Sequence, residues 1–298
     1  MTDLSPQAAP LPQRRPAQPD GARSSLPRRT STVRRVGRHR SMHRISVASD
    51  APALVLAVPG SDAADSGLAD QIAEAAAESC PGAEIRIGYL AGRNDSLAEA
   101  LTWDHGPNGS AAPQAVVVPL LAGAHPVIDR QLAMILSQTS APVMLASHLG
   151  PHPLLAGALH DRLSEVGLAR ASRARGLNIA AGANGVLVIA DHGPQAISDA
   201  GVTAVLLAAR LAVPAVPASL GDPASVRSGL ERLKEAGATR PAIAPCLIGP
   251  ETDPAELTML SSAIDAPCAS PLAAHPAIAQ LVAIRYGEAL ARLTVASH

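Results

Sequence analysis

Two residues in the C-terminal half have side chains that can bind a divalent metal ion or accept a proton near neutral pH. His192 follows an apolar run that ends at Ala190, and Glu251 follows a second such run that contains Pro245. Imidazole and carboxylate groups suit both kinds of chemistry. Taken singly, a capping histidine and a glutamate at a helix start are equally ordinary. Their placement after two strands of one sheet favours the functional interpretation.

An α/β fold has to position these residues. From residue 53 onward, short β-branched runs alternate with Ala- and Leu-rich stretches of helical period, which is typical of a parallel sheet covered by helices. The predicted strands are 53–58, 84–90, 115–119, 142–147, 186–190, 213–218, 241–248 and a short one near Cys268. The predicted helices are 64–79, 95–103, 127–138, 153–167, 196–211, 223–236, 253–264 and 276–293.

The two halves of this region repeat each other. They share a glycine after the first strand, a proline in the third strand and a His-Pro pair at the start of the last helix. In chain order these are Gly60, Pro119 and His152-Pro153, then Gly193, Pro245 and His275-Pro276. We therefore predict two duplicated flavodoxin-like domains, each a parallel sheet covered by helices, at 51–168 and 185–298, joined by a linker over 169–184. Such domains bind ligands beyond the carboxyl ends of their first and third strands.

The same two positions of the N-terminal half hold Pro59 and His125. Proline can neither bind a metal nor accept a proton, so His125 alone remains a candidate ligand there. Its alternative role is loop packing before Pro126. His152 and His275 each precede a proline at a helix start, and we expect them to cap their helices.

Charge is distributed unevenly along the 298 residues, although the formal net charge is −1. Residues 1–50 contain ten Arg and three Asp, a net charge of +7, which leaves 14 basic and 22 acidic residues, a net charge of −8, for 51–298. The basic segment has no apolar run, so we predict a disordered tail without an export signal. No apolar stretch reaches the roughly 18–20 residues of a membrane span, so no membrane partner is expected.

Several other classes of protein are disfavoured by composition. Aromatic residues make up 1% of the chain, which leaves no platform for base stacking and argues against a nucleic-acid partner. No Gly-rich nucleotide motif occurs in the right context, so no nucleotide cofactor is expected. Three separated cysteines, Cys80, Cys246 and Cys268, indicate neither a disulfide framework nor a metal cluster and fit a cytoplasmic location.

Three motifs carry a family resemblance over about residues 53–290. Pro119-Leu-Leu-Ala-Gly-Ala-His125 runs from a proline to Gly-x-His, Gly150-Pro151-His152-Pro153 opens a helix, and Pro59-Gly60-Ser61 ends the first strand. The chain resembles on these motifs the class II tetrapyrrole metal chelatases, the sirohydrochlorin chelatase and CbiX-like family. That family usually has a histidine where Pro59 stands, so the first-half site departs from the pattern.

The resemblance implies a cytoplasmic chelatase that inserts divalent iron, cobalt or nickel into a tetrapyrrole such as sirohydrochlorin, for siroheme or cobalamin biosynthesis. His192 and Glu251 would be catalytic, and His125, His192 and Glu251 would bind the metal. A His/Glu pair in the C-terminal half is similar to that of protoporphyrin ferrochelatases, which share the fold.

The substrate of such an enzyme carries eight carboxylates, whereas the body has a net charge of −8. Basic residues must therefore offset the repulsion, and Arg93, Arg130 and Arg285 are the candidates for substrate binding. Because the duplication supplies both halves, we expect a monomer. The alternative function is a degenerate member that binds metal or tetrapyrrole as a carrier or regulator without turnover. A solute-binding protein is a weaker third hypothesis.

Overall fold

The computed structural model describes residues 51–61, 67–92, 95–103, 113–170 and 182–296. The predicted tail and most of the predicted linker lie outside these residues. The strands in the described part are β1 (Ala53–Ser61), β2 (Ile85–Ala91), β3 (Ala115–Pro119), β4 (Val143–Leu145), β5 (Gly185–Ala190), β6 (Ala215–Ser219) and β7 (Pro241–Pro245). The helices are α1 (Leu68–Ser79), α2 (Leu97–Ala100), α3 (Pro126–Gln138), α4 (Pro153–Glu165), α5 (Pro194–Leu211), α6 (Pro223–Glu235), α7 (Pro254–Ile264) and α8 (Pro276–Ala296).

The strands form two parallel sheets with the order β2-β1-β3-β4 and β6-β5-β7. In the first sheet, Val55 of β1 is in register with Arg86 on one side and Val117 on the other. This is the flavodoxin-like order, so the predicted fold class is confirmed. The short strand predicted near Cys268 is reduced to an isolated bridge with Ile243.

Local sequence accounts for these elements. Every residue of β3 and β5 is buried, as expected for central parallel strands covered on both faces. The helices α3, α4, α6 and α7 each begin with a proline behind a residue whose side chain accepts a backbone N–H bond. The capping roles predicted for His152 and His275 are confirmed, since their Nδ1 atoms accept bonds from Leu154 and Ala277.

The last helix of each half packs against the other half. Helix α4 contacts α5 and β7, whereas α8 contacts α1 and β3. The hydroxyl of Tyr286 on α8 donates a hydrogen bond of 2.6 Å to the carbonyl of Pro52, just before β1. A single cluster of buried side chains consequently includes residues of both sheets. The division at 169–184 stays a prediction, and in the described part of the chain the packing exchanges a helix between the two repeats.

The turns beyond the first strand of each sheet contact the opposite half. Gly60 has a φ of +84°, and a Cβ there would lie 3.1 Å from the carbonyl oxygen of Pro250. Gly193 has a φ of +103°, and a Cβ there would lie 3.2 Å from Pro126. The repeated glycines are explained by this positive φ and close approach. The carboxyl ends of the sheets therefore meet across the two halves.

In the described part of the chain, none of the helices is both long enough and apolar enough to cross a membrane.

Candidate metal centre

Three side chains that can bind a metal ion converge where β3 of the N-terminal half meets β5 of the C-terminal half. One donor atom from each of His125, Asp191 and His192 lies within 4.8 Å of the other two. The two imidazole rings have centroids 6.1 Å apart and are tilted by 46°. The carboxylate of Asp191 lies against both rings. The group is therefore built by both halves.

Asp191 and His125 are the buried members of this group, and Asp191 has 8% of its side chain exposed. It follows β5 directly, and its carbonyl accepts a hydrogen bond of 2.7 Å from the Ser219 hydroxyl at the end of β6. Its Oδ1 contacts Nδ1 of His192. Its Oδ2 lies 3.0 Å from Nε2 of His125 but accepts no well-aligned hydrogen bond from the described residues. A buried carboxylate oxygen in this state is costly unless a cation or a proton is shared with it.

His125 is fixed by the start of α3. Its ring Nδ1 accepts a hydrogen bond of 3.3 Å from the backbone N–H of Ile128. The backbone N–H of His125 donates a hydrogen bond of 3.1 Å to the carboxylate of Asp129. The adjacent N–H of Ala124 donates over 3.0 Å to Asp199, which lies on α5 of the other half. A carboxylate of the C-terminal half therefore holds the loop that carries His125.

His192 is the accessible member, with 53% of its side chain exposed. Because Nδ1 donates to Asp191, Nε2 of the neutral ring carries the free lone pair. A carboxylate behind a histidine is the usual arrangement that orients a metal ligand. The ring also lies over Gly221, where a Cβ would approach its Cδ2 to 2.1 Å. The absence of a side chain at residue 221 therefore leaves room for the ring.

The two histidines differ in which ring nitrogen carries the proton, and therefore in which nitrogen is free for a metal ion. Since Nδ1 of His125 accepts a hydrogen bond, the neutral ring carries its proton on Nε2, beside Asp191. A metal ion that binds Nε2 must displace this proton, and the long bond from Ile128 is then lost. His192 needs no such exchange. Metal binding is therefore expected to move the proton of the neutral His125 ring from Nε2 to Nδ1, at the cost of the bond from Ile128.

Glu251 lies beside this group but is not a member of it. Its two carboxylate oxygens accept hydrogen bonds from the backbone N–H groups of Ile248 and Gly249, because the loop after β7 turns back on itself. Burial, opposed by the backbone bonds and assisted to a smaller extent by the charge of Asp191, raises the pKa of Glu251 to about 7. Glu251 can therefore exchange a proton near neutral pH.

Cys246 lies in the same region as these groups but remains a thiol. Burial, followed by the charge of Glu251, raises the pKa of Cys246 to about 12. Metals bind the thiolate form of cysteine. Cys246 is therefore a small buried residue of this region.

Two cavities share Glu251. The first, of about 20 Å³, is lined by His125, Asp191, Asp199 and Cys246 and holds little more than one water-sized group. The second, of about 700 Å³, is bounded by Pro59 from the N-terminal half and by 248–254 from the other, and its size is typical of a small-molecule site. The residue predicted as proton acceptor therefore stands between an ion-sized space and a ligand-sized one.

The arginines predicted to bind substrate are placed differently. Arg285 donates hydrogen bonds to the carbonyls of His148 (2.7 Å) and Leu149 (3.0 Å), and these two bonds attach α8 to the loop before α4. A third bond of 2.9 Å goes to the carboxylate of Glu288. Arg130 is exposed on α3 and lines neither cavity. Arg93 lies outside the described residues. Substrate contact by these three residues stays a prediction.

The sequence analysis selected His125 and His192 but overlooked Asp191. The signal was present, since a carboxylate directly follows six buried apolar residues of β5 and precedes the histidine. A charged side chain at that point is rarely left without a partner.

Comparisons with known proteins give a family match and structural matches. The CbiX family model matches residues 53–166. The structure of SirB from Bacillus subtilis with Fe3+ is 18% identical and has a TM-score of 0.55, and the match covers 81% of this chain and 97% of that one. The sirohydrochlorin chelatase SirB from Bacillus subtilis subspecies spizizenii, in complex with cobalt, is 17% identical with a TM-score of 0.54, and the match covers 80% and 95% of the two chains. No curated protein gave a significant match.

At these identities the structural likeness shows the fold over both halves, and the family match covers the N-terminal half, which contains His125. The N-terminal half therefore matches the CbiX family model, and the chain as a whole shares the fold of the two SirB structures.

Proposed function

We propose that this protein inserts a divalent ion of iron, cobalt or nickel into a tetrapyrrole such as sirohydrochlorin, in siroheme or cobalamin biosynthesis. The observation that carries the proposal is the convergence of His125, Asp191 and His192 beside Glu251, at the border of a cavity of about 700 Å³. The family and the fold support a chelatase in general terms.

The metal ion is a substrate and would enter at the exposed His192. Nε2 of that ring offers the first lone pair, and the Asp191 carboxylate supplies negative charge that offsets part of the cost of dehydrating the ion. His125 would complete the set once the proton of its neutral ring has moved from Nε2 to Nδ1. Imidazole and carboxylate ligands suit all three ions, so this set is compatible with each of them.

Metallation also requires a destination for two pyrrole protons. Glu251 would accept one, since its raised pKa of about 7 makes it a proton acceptor matched to neutral conditions. As the ion moves from imidazole nitrogen to pyrrole nitrogen, the freed histidine can take the second proton. Two protons leave the macrocycle for one divalent ion, so charge balances.

The macrocycle itself would occupy the larger cavity. That cavity adjoins Pro59, where the family usually has a histidine, and proline offers an apolar wall in place of a ligand. The metal site would thus be displaced from the N-terminal half to the contact between halves.

A metallation assay tests the proposal. Purified protein is mixed anaerobically with sirohydrochlorin and Co²⁺ or Fe²⁺, and the absorption change is followed for wild type, His125→Ala, His192→Ala and Glu251→Gln. We expect wild type to accelerate metallation over the protein-free mixture, and the His192→Ala and Glu251→Gln variants to lose about 100-fold in rate. Glu231→Gln, which makes the same change as Glu251→Gln at an exposed residue of α6 that lines neither cavity, is the control and should behave as wild type.

The loss of the family histidine at Pro59 favours a second candidate function, a carrier or regulator without turnover. Tight binding of metal or tetrapyrrole with no acceleration by wild type would establish that function. Acceleration that none of the three variants reduces would place the chemistry elsewhere in the chain.

A further inference from the structure

Arg162 is a charged residue on the wall of the 700 Å³ cavity that the sequence analysis did not select. It lies in the last turn of α4, and 19% of its side chain is exposed. Helix α4 belongs to the N-terminal half, but the cavity wall opposite is made by the loops after β7 and before α8. Among the described residues that line this cavity, Arg162 is the only arginine or lysine.

The guanidinium group of Arg162 is held in one orientation, but one of its two hydrogen-bond partners can be replaced. Its Nη2 donates a hydrogen bond of 2.8 Å to the carbonyl of Leu272, which holds it against the C-terminal half. Its Nη1 lies 2.9 Å from the carboxylate of Glu165, whose side chain is 51% exposed. Such a surface pair contributes only about 0–1 kcal/mol, so a carboxylate of a ligand can replace Glu165 at little cost.

Two buried polar groups on residues that line the cavity have no hydrogen-bond partner among the described residues. They are Nε of Arg162 and Oγ1 of Thr252, and both residues line the cavity. Buried donors without partners are costly, and both groups are donors. A guanidinium N–H and a hydroxyl together match the oxygens of a carboxylate.

The charge around the cavity is negative, so a local cation such as Arg162 is needed to bind an anionic ligand there. Residues 51–298 carry a net charge of −8, and Glu251 and Asp253 also line the cavity. A polycarboxylate would be repelled by this surface in the absence of a local cation. Arg130 and Arg285, the other described candidates, line neither cavity.

We infer that Arg162, assisted by Thr252, binds a peripheral carboxylate of the macrocycle and so determines the preference for polycarboxylate tetrapyrroles. This inference rests on the proposed function, because it assumes that a tetrapyrrole enters the larger cavity. Arg162 acts on substrate binding, and no role in the metal transfer is assigned to it.

Binding of metal-free porphyrins tests this role without turnover. Fluorescence quenching in metal-free buffer gives dissociation constants for a porphyrin with eight carboxylates and for one with two. We expect the wild type to prefer the octacarboxylate. Arg162→Gln should weaken octacarboxylate binding about tenfold and abolish the preference, with an intermediate effect for Arg162→Lys.

Two further variants leave Arg162 in place. Glu165→Gln removes the competing carboxylate and should strengthen octacarboxylate binding about twofold to threefold. Thr252→Val keeps the shape of the side chain and should weaken it by about the same factor. Arg130→Gln is the matched control, since it removes an exposed arginine that lines neither cavity, and it should leave both constants unchanged.

The outcomes separate the inference from the proposed function. If wild type binds neither porphyrin, the proposed function fails. If wild type binds the octacarboxylate and Arg162→Gln binds it equally well, with an unchanged melting temperature, the inference is overturned. Displacement of the porphyrin by an equimolar amount of succinate would also overturn it, since the site would then recognise any small carboxylate.

Discussion

The two contacts between the halves are built from equivalent turns but have diverged in chemistry. At one contact, the turn after β5 meets the loop after β3, and His125, Asp191 and His192 converge beside a space of about 20 Å³ that His125 and Asp191 line. At the other, the turn after β1 meets the loop after β7 with Gly60 close to Pro250, and Pro59 and Pro250 line a cavity of about 700 Å³. One contact carries metal-binding side chains around a small space, whereas the other has Pro59 at the equivalent position and is open.

This difference shows how a duplicated fold can divide two tasks. A metal site needs donor atoms a few ångströms apart with little free volume, whereas a macrocycle needs a wide space with few fixed groups. Exchange of α4 and α8 holds the halves together, so both contacts can be specialised without loss of the common core. Glu251, which lines both cavities, connects the two contacts.

The largest expected effect comes from Asp191→Asn, which removes the charge at the closed contact but keeps the shape of the side chain. We expect the affinity for Co²⁺ to fall about 100-fold, because the amide neither neutralises the ion nor orients both histidines. Isothermal titration calorimetry measures this affinity. Asp222→Asn is the control, since it removes a nearby exposed charge and retains an N-cap for α6. A similar loss in both variants would mean that only the general field matters.

Pro59→His would remove part of the difference between the two contacts. It restores an imidazole beside the loop that carries Glu251, so we expect the number of Co²⁺ ions bound to rise from one towards two per chain. The new site should be weaker by about tenfold, because no carboxylate stands behind the ring as Asp191 stands behind His192. Calorimetric stoichiometry tests this, and an unchanged value of one would show that the open contact cannot hold an ion.

Gly221→Ala tests whether His192 is a metal ligand at the closed contact. The added Cβ would overlap the His192 ring, with approaches of 2.1 Å to Cδ2 and 2.3 Å to Nε2, so the exposed ring must move. We expect Co²⁺ affinity to fall about tenfold while the melting temperature changes little. Gly201→Ala is the matched control, because its Cβ would only reach ordinary contact distance from Pro217. An unchanged affinity for Gly221→Ala would mean that His192 is not a ligand.

The smallest expected effect concerns the pH dependence of stability. The pKa of Glu251 is raised from 4.5 to about 7, so the folded protein binds more protons than the unfolded chain between these values. Its contribution to the free energy of unfolding therefore falls as the pH rises through this window. In Glu251→Gln this contribution is absent, and urea denaturation in metal-free buffer should show a shallower fall between pH 5 and 8. Parallel curves for the two proteins would contradict the raised pKa.

Sequence reasoning recovered the elements more completely than the site. The alternation of apolar strands and periodic helices predicted the fold class, because each predicted strand had to be buried on both faces, as β3 and β5 are. It also selected His125 and His192. It paired His192 with Glu251 inside one half, since nothing local reveals that the turns meet across the halves.

The missing information was tertiary. The exchange of α4 and α8 depends on contacts between residues more than 100 positions apart, such as Arg285 with His148. The local hydrogen bonds that direct the Glu251 carboxylate to its own backbone depend on the shape of one loop. From the sequence, Asp191 is recognisable only as a charged residue in an unusual position. The structure adds that its carboxylate lies beside both histidines.

The central claim is that one divalent ion is bound by donors from both halves at the closed contact. Crystals grown with Co²⁺ and measured at the cobalt absorption edge test it directly, because anomalous scattering locates the ion without assumptions about its ligands. We predict one strong peak within bonding distance of His192 and Asp191, with His125 turned towards it. A peak beside Pro59 and Glu251, with none at His192, would contradict the account.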